Sequence, residues 1–227
     1  MVLARIILFG CFTSQTGTAL LFRIKIVNTS QNCLILFAKS PQQGKVKTRL
    51  EADLGKAATL QFYLSLLQKQ VSLVESCSFA THSLWVDGQD QHQVFGSLAG
   101  KGHQQQGCNL GERMENALKS ELLQFERVVL IGVDCPEMNI SYIRSAFQSL
   151  KEKDVVLGPA RDGGYVMIGF KNNVADIFDD IPWGTDQVLD STLNKIEHLK
   201  LECCLLETLD DIDTVEDLEK FPELYPQ

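Results

Sequence analysis

Cys33-Leu34-Ile35-Leu36-Phe37-Ala38 is an unbroken apolar run of strand length. A strand with one wet face alternates apolar and polar residues. A continuous run is what a strand covered on both faces requires, and such strands belong to parallel sheets sandwiched between helices. Residues 127–133 and 155–158 read the same way. Between these runs the apolar spacing changes to threes and fours. Leu54, Leu60, Leu64, Leu67 and Val71 mark a long helix over residues 51–76, and Val188, Leu189, Leu193, Ile196 and Leu199 mark one over 186–199. Further helices are expected over 141–151 and 214–221. Asn109, followed three residues on by Glu112, reads as the capped start of a helix reaching residue 124. Shorter strands are expected at 83–87, 165–170 and 201–206. The Gln-, Gly- and His-rich residues 88–108 have room for a short helix and an edge strand. Strands alternating with helices predict a three-layer α/β/α fold with a mainly parallel sheet.

Composition narrows the function classes. At 227 residues with 44% hydrophobic and 22% charged side chains, the chain is neither disordered, collagenous nor membrane-spanning. Its net charge of −8 argues against nucleic-acid binding, which needs a basic footprint. The charge is unevenly placed, however: residues 1–50 carry seven basic side chains and no acidic one. An early basic cluster in an acidic chain points to a localised anion site. Seven scattered cysteines without a CxxC pair fit reduced thiols and a cytoplasmic protein. Cys203 and Cys204, adjacent in a strand, are expected to face inward and outward respectively or the reverse. Residues 1–32 are set apart as an extension of open role. Arg5, the short apolar run after it and Thr16-Gly17-Thr18-Ala19 outline a signal-peptide pattern, but the second apolar run, broken by Arg23 and Lys25, favours a dispensable extension. Residues 33–227 are read as a single nucleotide-binding domain, and the oligomeric state is left open.

In folds of this kind ligands sit at the carboxyl ends of the strands. The first strand is followed by a loop holding Lys39, Lys45, Lys47 and Arg49, with Pro41 and Gly44, just ahead of a helix. Loop amides, a helix start and four cations together suit a di- or triphosphate. Gly44-Lys45 is followed by Val46, so the loop is not a Walker A motif. Asp134 ends the second long strand, where a Mg²⁺ or Mn²⁺ ligand would stand. Asp162-Gly163-Gly164 offers a turn or a close backbone approach to phosphate. Trp183 is placed either over a substrate or in the core, and Thr185 is a candidate N-cap. In Asp210-Asp211-Ile212-Asp213-Thr214, Thr214 with Asp217 forms a capping box, and Asp213 supplies a carboxylate that capping does not use.

Six motifs in order, FAKSPQQGKVKTRL, LGERMENAL, VVLIGVDCPEM, VVLGPARDGGYVMIGF, IPWGTDQVL and DIDTVEDL, resemble the radical-SAM/selenodomain-associated transferase family. That family lies within the nucleotide-diphospho-sugar transferase, or glycosyltransferase A-type, superfamily, and the likeness spans roughly residues 33–221. It implies that Lys39, Lys45, Lys47 and Arg49 hold nucleotide phosphates, to which the turn reading adds Gly163 and Gly164 as candidates. It further implies that Asp134 and Asp213 bind Mg²⁺ or Mn²⁺, Asp213 through similarity to the DTPEDL end of sugar-activating cytidylyltransferases. Val215 stands where that pattern has proline, and Pro136 stands where many glycosyltransferases have a second aspartate. The expected activity is glycosyl transfer from a nucleoside-diphosphate-sugar to a small acceptor, with Asp162 or Asp186 as base. Nucleotidyl transfer from a triphosphate to a phosphorylated acceptor is the first alternative, and a non-catalytic nucleotide-binding protein the second.

Overall fold

The computed structural model describes residues 31–174 and 176–225. The signal-peptide pattern and most of the extension therefore lie outside the described residues. Among the described residues seven strands form one sheet: β1 (Asn32–Lys39), β2 (Thr81–Asp87), β3 (His103–Gln104), β4 (Arg127–Ile131), β5 (Val155–Pro159), β6 (Tyr165–Lys171) and β7 (Cys203–Leu205). Their order is β3-β2-β1-β4-β6-β5-β7. Only β6 runs against the rest, paired antiparallel with both β4 and β5. The mainly parallel α/β/α architecture expected from the apolar runs is what the chain adopts. The domain boundary drawn at residue 33 falls inside β1, because polar Asn32 already pairs with Arg127.

Alternate residues of each buried strand feed two separate cores. Leu34, Leu36, Val129, Ile131 and Val156 join one cluster with α1 (Glu51–Ser76) and α3 (Ile140–Ser149). Cys33, Ile35, Val128, Leu130, Val155 and Leu157 join the other, with α2 (Leu110–Leu122) and α4 (Val188–His198). The same logic corrects the expectation for the adjacent cysteines. Cys203 packs on one cluster and Cys204 on the other, so neither faces open water, because the sheet is covered on both sides. Burial pushes the Cys203 thiol up to about 11, which keeps it protonated and unreactive at neutral pH.

The helix starts follow their local chemistry. The Asn109 side chain accepts the Glu112 N–H as α2 begins, and the Glu112 carboxylate accepts the Cys108 N–H. Asn139 caps α3 in the same way through the Tyr142 N–H. α5 (Val215–Leu218) opens with the expected capping box between Thr214 and Asp217. Thr185 behaves differently from expectation. Its hydroxyl donates to Pro182 O and accepts from the Gln187 N–H, closing a turn, while α4 starts after Gln187 without a side-chain cap. Residues 88–108 hold a short 3-10 helix, Gln93–Leu98, and the edge strand β3. Among the described residues no helix is long and apolar enough to cross a membrane.

β1 lies between β2, which follows it in sequence, and β4, which comes later, so the direction of winding reverses on either side of β1. Loops leaving β1 and β4 must splay apart at such a point, and the crevice between them is where open α/β sheets bind ligands.

Candidate functional site

A cavity of about 610 Å³ opens at this crevice. Its rim comes from the carboxyl ends of β1, β2 and β4, the amino end of β6 and the first turn of α2. Tyr63 of α1 fixes the end of β1: its hydroxyl accepts the Lys39 N–H at 3.0 Å and donates to Lys39 O at 2.9 Å. In the sheet register Lys39 lies beside Asp87, the last residue of β2.

Lys47 is the centre of the site. Its ammonium lies 2.9 Å from Asp134 Oδ1 and 3.6 Å from Asp213 Oδ1, and it donates to the Ile212 carbonyl. The Lys47 side chain is only 4% exposed, whereas those of Asp134 and Asp213 are 48% and 40% exposed. Its backbone takes the left-handed conformation, φ 48° and ψ 42°. For a residue with a Cβ this costs about 1 kcal/mol or more, a strain that tends to accumulate where function demands a particular geometry. Val46 and Leu50, both buried in the core, clamp the loop on either side.

The segment from Leu209 to Asp213 is held against the ends of β4 and β5 by backbone bonds. Leu209 N donates to Pro159 O and Ile212 N to Asp134 O, each at 3.0 Å. Asp210 reinforces this from outside, receiving Arg161 at 2.8 Å and Lys220 at 3.2 Å while its own N–H donates to Glu137. Arg49 takes the second oxygen of Asp213.

The structure thus brings Lys39, Lys47, Asp134 and Asp213 to one cavity, with Arg49 behind Asp213. Lys45 is exposed and off the lining, as are Asp162 and Asp186. Gly163 and Gly164 also lie off the lining. The close approach that Gly163 permits is to protein: a Cβ there would sit 2.1 Å from Asp186 O. Trp183 packs on Phe178 and Tyr165 and covers Gly111, so it serves the fold rather than the cavity.

Several polar groups of the cavity, Tyr63 and Asp87 among them, carried no sequence signal of their own. Arg113, one turn into α2, pairs with Asp87 at 2.7 Å and also lines the wall. Gln105 reaches back to Ala38 O and Trp85 O. Asp211 lines the cavity beside Asp213, and burial, with the nearby Asp162 charge, pushes its carboxyl up to about 6. Its run of acidic neighbours was visible, but which of them turns inward was not. Cys135, next to Asp134, is pushed by burial up to about 12 and is no nucleophile at neutral pH.

Asp211 gives a pH dependence of known sign. An acid raised above its unfolded value of about 3.9 keeps its proton in the folded chain after the unfolded chain has lost it. Stability therefore falls as pH rises through the window from about 4 to 6. Asp211→Asn is expected to melt above the wild type at about pH 7.5, the difference closing below about pH 4. Melting curves across that range check it. An equal difference at every pH would show that Asp211 ionises without cost.

The cavity wall carries three basic residues, Lys39, Lys47 and Arg113, against four acidic ones, Asp87, Asp134, Asp211 and Asp213. Such a wall repels a polyphosphate unless a cation accompanies it. Among the described residues no three His, Cys, Asp or Glu side chains form a metal cage. Mg²⁺ commonly binds one or two carboxylates and takes its remaining ligands from phosphates and water, and Asp134 and Asp213 are the residues that could supply such carboxylates.

The family model described as "Uncharacterized protein conserved in bacteria (DUF2064)" matches residues 70–185. Among solved structures, a protein from Desulfovibrio desulfuricans G20, provisionally named a nucleotide-diphospho-sugar transferase, is 33% identical. The match covers 83% of this chain and 84% of that one, with a TM-score of 0.75. A CMP:2-keto-3-deoxy-manno-octonic acid synthetase complexed with CTP matches over 86% of this chain and 98% of its own, at 10% identity and TM-score 0.55. The 4-diphosphocytidyl-2C-methyl-D-erythritol synthase of Anaerococcus prevotii DSM 20548 matches over 83% and 95%, at 14% identity and TM-score 0.54. These last two share the fold. No curated protein matches the sequence.

Proposed function

This chain belongs to the DUF2064 family, and we propose that it is a divalent-metal-dependent transferase acting on a nucleoside-diphosphate-sugar. The observation that carries this is the buried, left-handed Lys47 set between Asp134 and Asp213 at the crevice where the sheet changes direction. The family likeness of the D. desulfuricans protein supports the donor class. The association with radical-SAM and selenodomain proteins and a cytoplasmic site of action, both implied by the motifs and thiols, belong to the same reading.

Mg²⁺ or Mn²⁺ on Asp134 and Asp213 would offset the charge of the departing diphosphate. Lys47 and Lys39 hold that diphosphate from the β1 side, and Arg49 fixes the Asp213 carboxylate by its far oxygen. In the transfer, the acceptor hydroxyl oxygen bonds to the anomeric carbon, and the carbon–oxygen bond to the diphosphate breaks. The diphosphate keeps the electron pair. The hydroxyl proton passes to a carboxylate, for which Asp211 on the cavity wall is better placed than Asp162 or Asp186.

The second reading is nucleotidyl transfer, in which a phosphorylated acceptor attacks the α-phosphorus of a triphosphate and pyrophosphate leaves. The DIDTVEDL segment favours it, since that segment resembles the end of sugar-activating cytidylyltransferases. A panel of nucleoside triphosphates and nucleotide-sugars, each with Mg²⁺, Mn²⁺ or EDTA, separates the two by melting shift and product. A ligand at a hundredfold excess over its Kd adds about 2.7 kcal/mol of stability, which is easily measured. Metal-dependent stabilisation by one nucleotide-sugar, with release of its nucleoside diphosphate, is the expected result. Pyrophosphate release from a triphosphate would transfer the assignment to the second reading. Binding without turnover would leave a nucleotide-binding protein, and no binding at all would remove the site.

A further inference from the structure

We propose that Lys47 is a tethered counter-ion that guards the metal position: in the free protein its ammonium keeps a divalent cation away from Asp134 and Asp213, and metal enters together with substrate phosphates. The inference rests on the metal–nucleotide site proposed above.

The ammonium donates to the Ile212 carbonyl and stands between the two carboxylates, 2.9 Å from Asp134 Oδ1 and 3.6 Å from Asp213 Oδ1. Its charge thus lies against one oxygen of each of the two carboxylates that would hold the cation. Arg49 already takes the other oxygen of Asp213. A dication approaching the free site would have to displace one cation and bind beside another, against direct repulsion.

Several features say that this arrangement is built in. The left-handed backbone at Lys47 aims the side chain at carboxylates far away in the sequence, with Ile212 165 residues on. Val46 and Leu50 keep the loop from swinging away. A simple stabilising ion pair would gain little here, because both carboxylates remain about half in water. The flexible four-carbon stem nevertheless lets the ammonium turn from carboxylate to phosphate without moving the backbone. A phosphate chain offers the ammonium new acceptors and brings ligands for the metal, so both events favour each other.

Mn²⁺ binding, followed by its electron paramagnetic resonance signal, tests this with the intact protein. Lys47→Met keeps the stem without the charge, and Lys47→Asn suits the left-handed backbone; either suffices if the other fails to fold. With Mn²⁺ alone, the variants are expected to bind about tenfold or more tightly than the wild type. The wild type should reach comparable affinity only when an equimolar mixture of ADP, GDP, CDP and UDP is added. Asp134→Asn should lose binding under both conditions. If the variants bind Mn²⁺ no better than the wild type while the wild type still gains Mn²⁺ with nucleotide, the counter-ion role is overturned and the site stands. Equal wild-type binding with and without nucleotide also overturns it. No Mn²⁺ binding by any form under either condition overturns the site and the inference with it.

Discussion

Turnover should fall by about two to three orders of magnitude in Asp134→Asn, while the melting temperature stays within a few degrees of the wild type. Asp134 follows the end of β4 with its side chain about half exposed, so an isosteric amide disturbs no core packing. The backbone link from the Ile212 N–H to Asp134 O does not involve the side chain and survives. What is lost is a full negative charge at the place where the cation and the diphosphate must meet. Loss of one charge-stabilising group in a preorganised site typically costs about 2.7–4 kcal/mol of barrier. Lys47 keeps Asp213 as a partner, so no buried charge is stranded. Steady-state kinetics on the substrate identified by the ligand panel, alongside a melting curve, is the check. Activity within a few-fold of the wild type would remove Asp134 from the chemistry.

Gly163→Ala should cost at least about 3 kcal/mol, the largest stability loss expected of any single methyl addition near the site. Two terms combine. Gly163 has φ 90°, where a residue bearing a Cβ is strained by about 1–2 kcal/mol. The new Cβ would also stand 2.1 Å from Asp186 O, and backbone cannot step aside cheaply. The same glycine's carbonyl accepts the Leu189 N–H at 2.8 Å, so the clash would prise the turn before β6 away from the start of α4. For a chain of this length the loss corresponds to a fall of about 6–12 °C in Tm. Gly164→Ala, whose Cβ would meet only the Asp162 side chain at 3.1 Å, should cost much less. Equal melting of the two variants would contradict the close packing at Gly163.

The elements that periodicity foresaw are those whose pattern repeats within a few residues. The run from Cys33 to Ala38 is the two-sided strand its pattern led one to expect, and α1 covers the residues that its apolar spacing marked, with a break at Gly55, where φ is 75°. Asn109 and Thr214 start helices for reasons contained in four residues. Thr185 does not cap α4 because the helix starts two residues later than the spacing suggests, after Gln187, and the hydroxyl accepts the Gln187 N–H inside the preceding turn. The adjacent cysteines misled because alternation says which faces a strand has, and not what covers them.

The candidate site divides along the same line. Lys39, Lys47, Asp134 and Asp213 were legible because strand ends in a parallel sheet share one edge, whatever the loops do. The sequence by itself therefore determined the layers, the strand and helix types, and the edge at which chemistry could occur. Only the tertiary structure decided that Lys47 turns inward while Lys45 stays in water, that Arg113 meets Asp87, and that Asp211 joins the wall. Those choices depend on segments separated by 26 to 165 residues coming together. Local periodicity fixes which face of an element is apolar. The register between distant elements is set by packing across the whole sheet, and only that packing tells a charged side chain which partner it will meet.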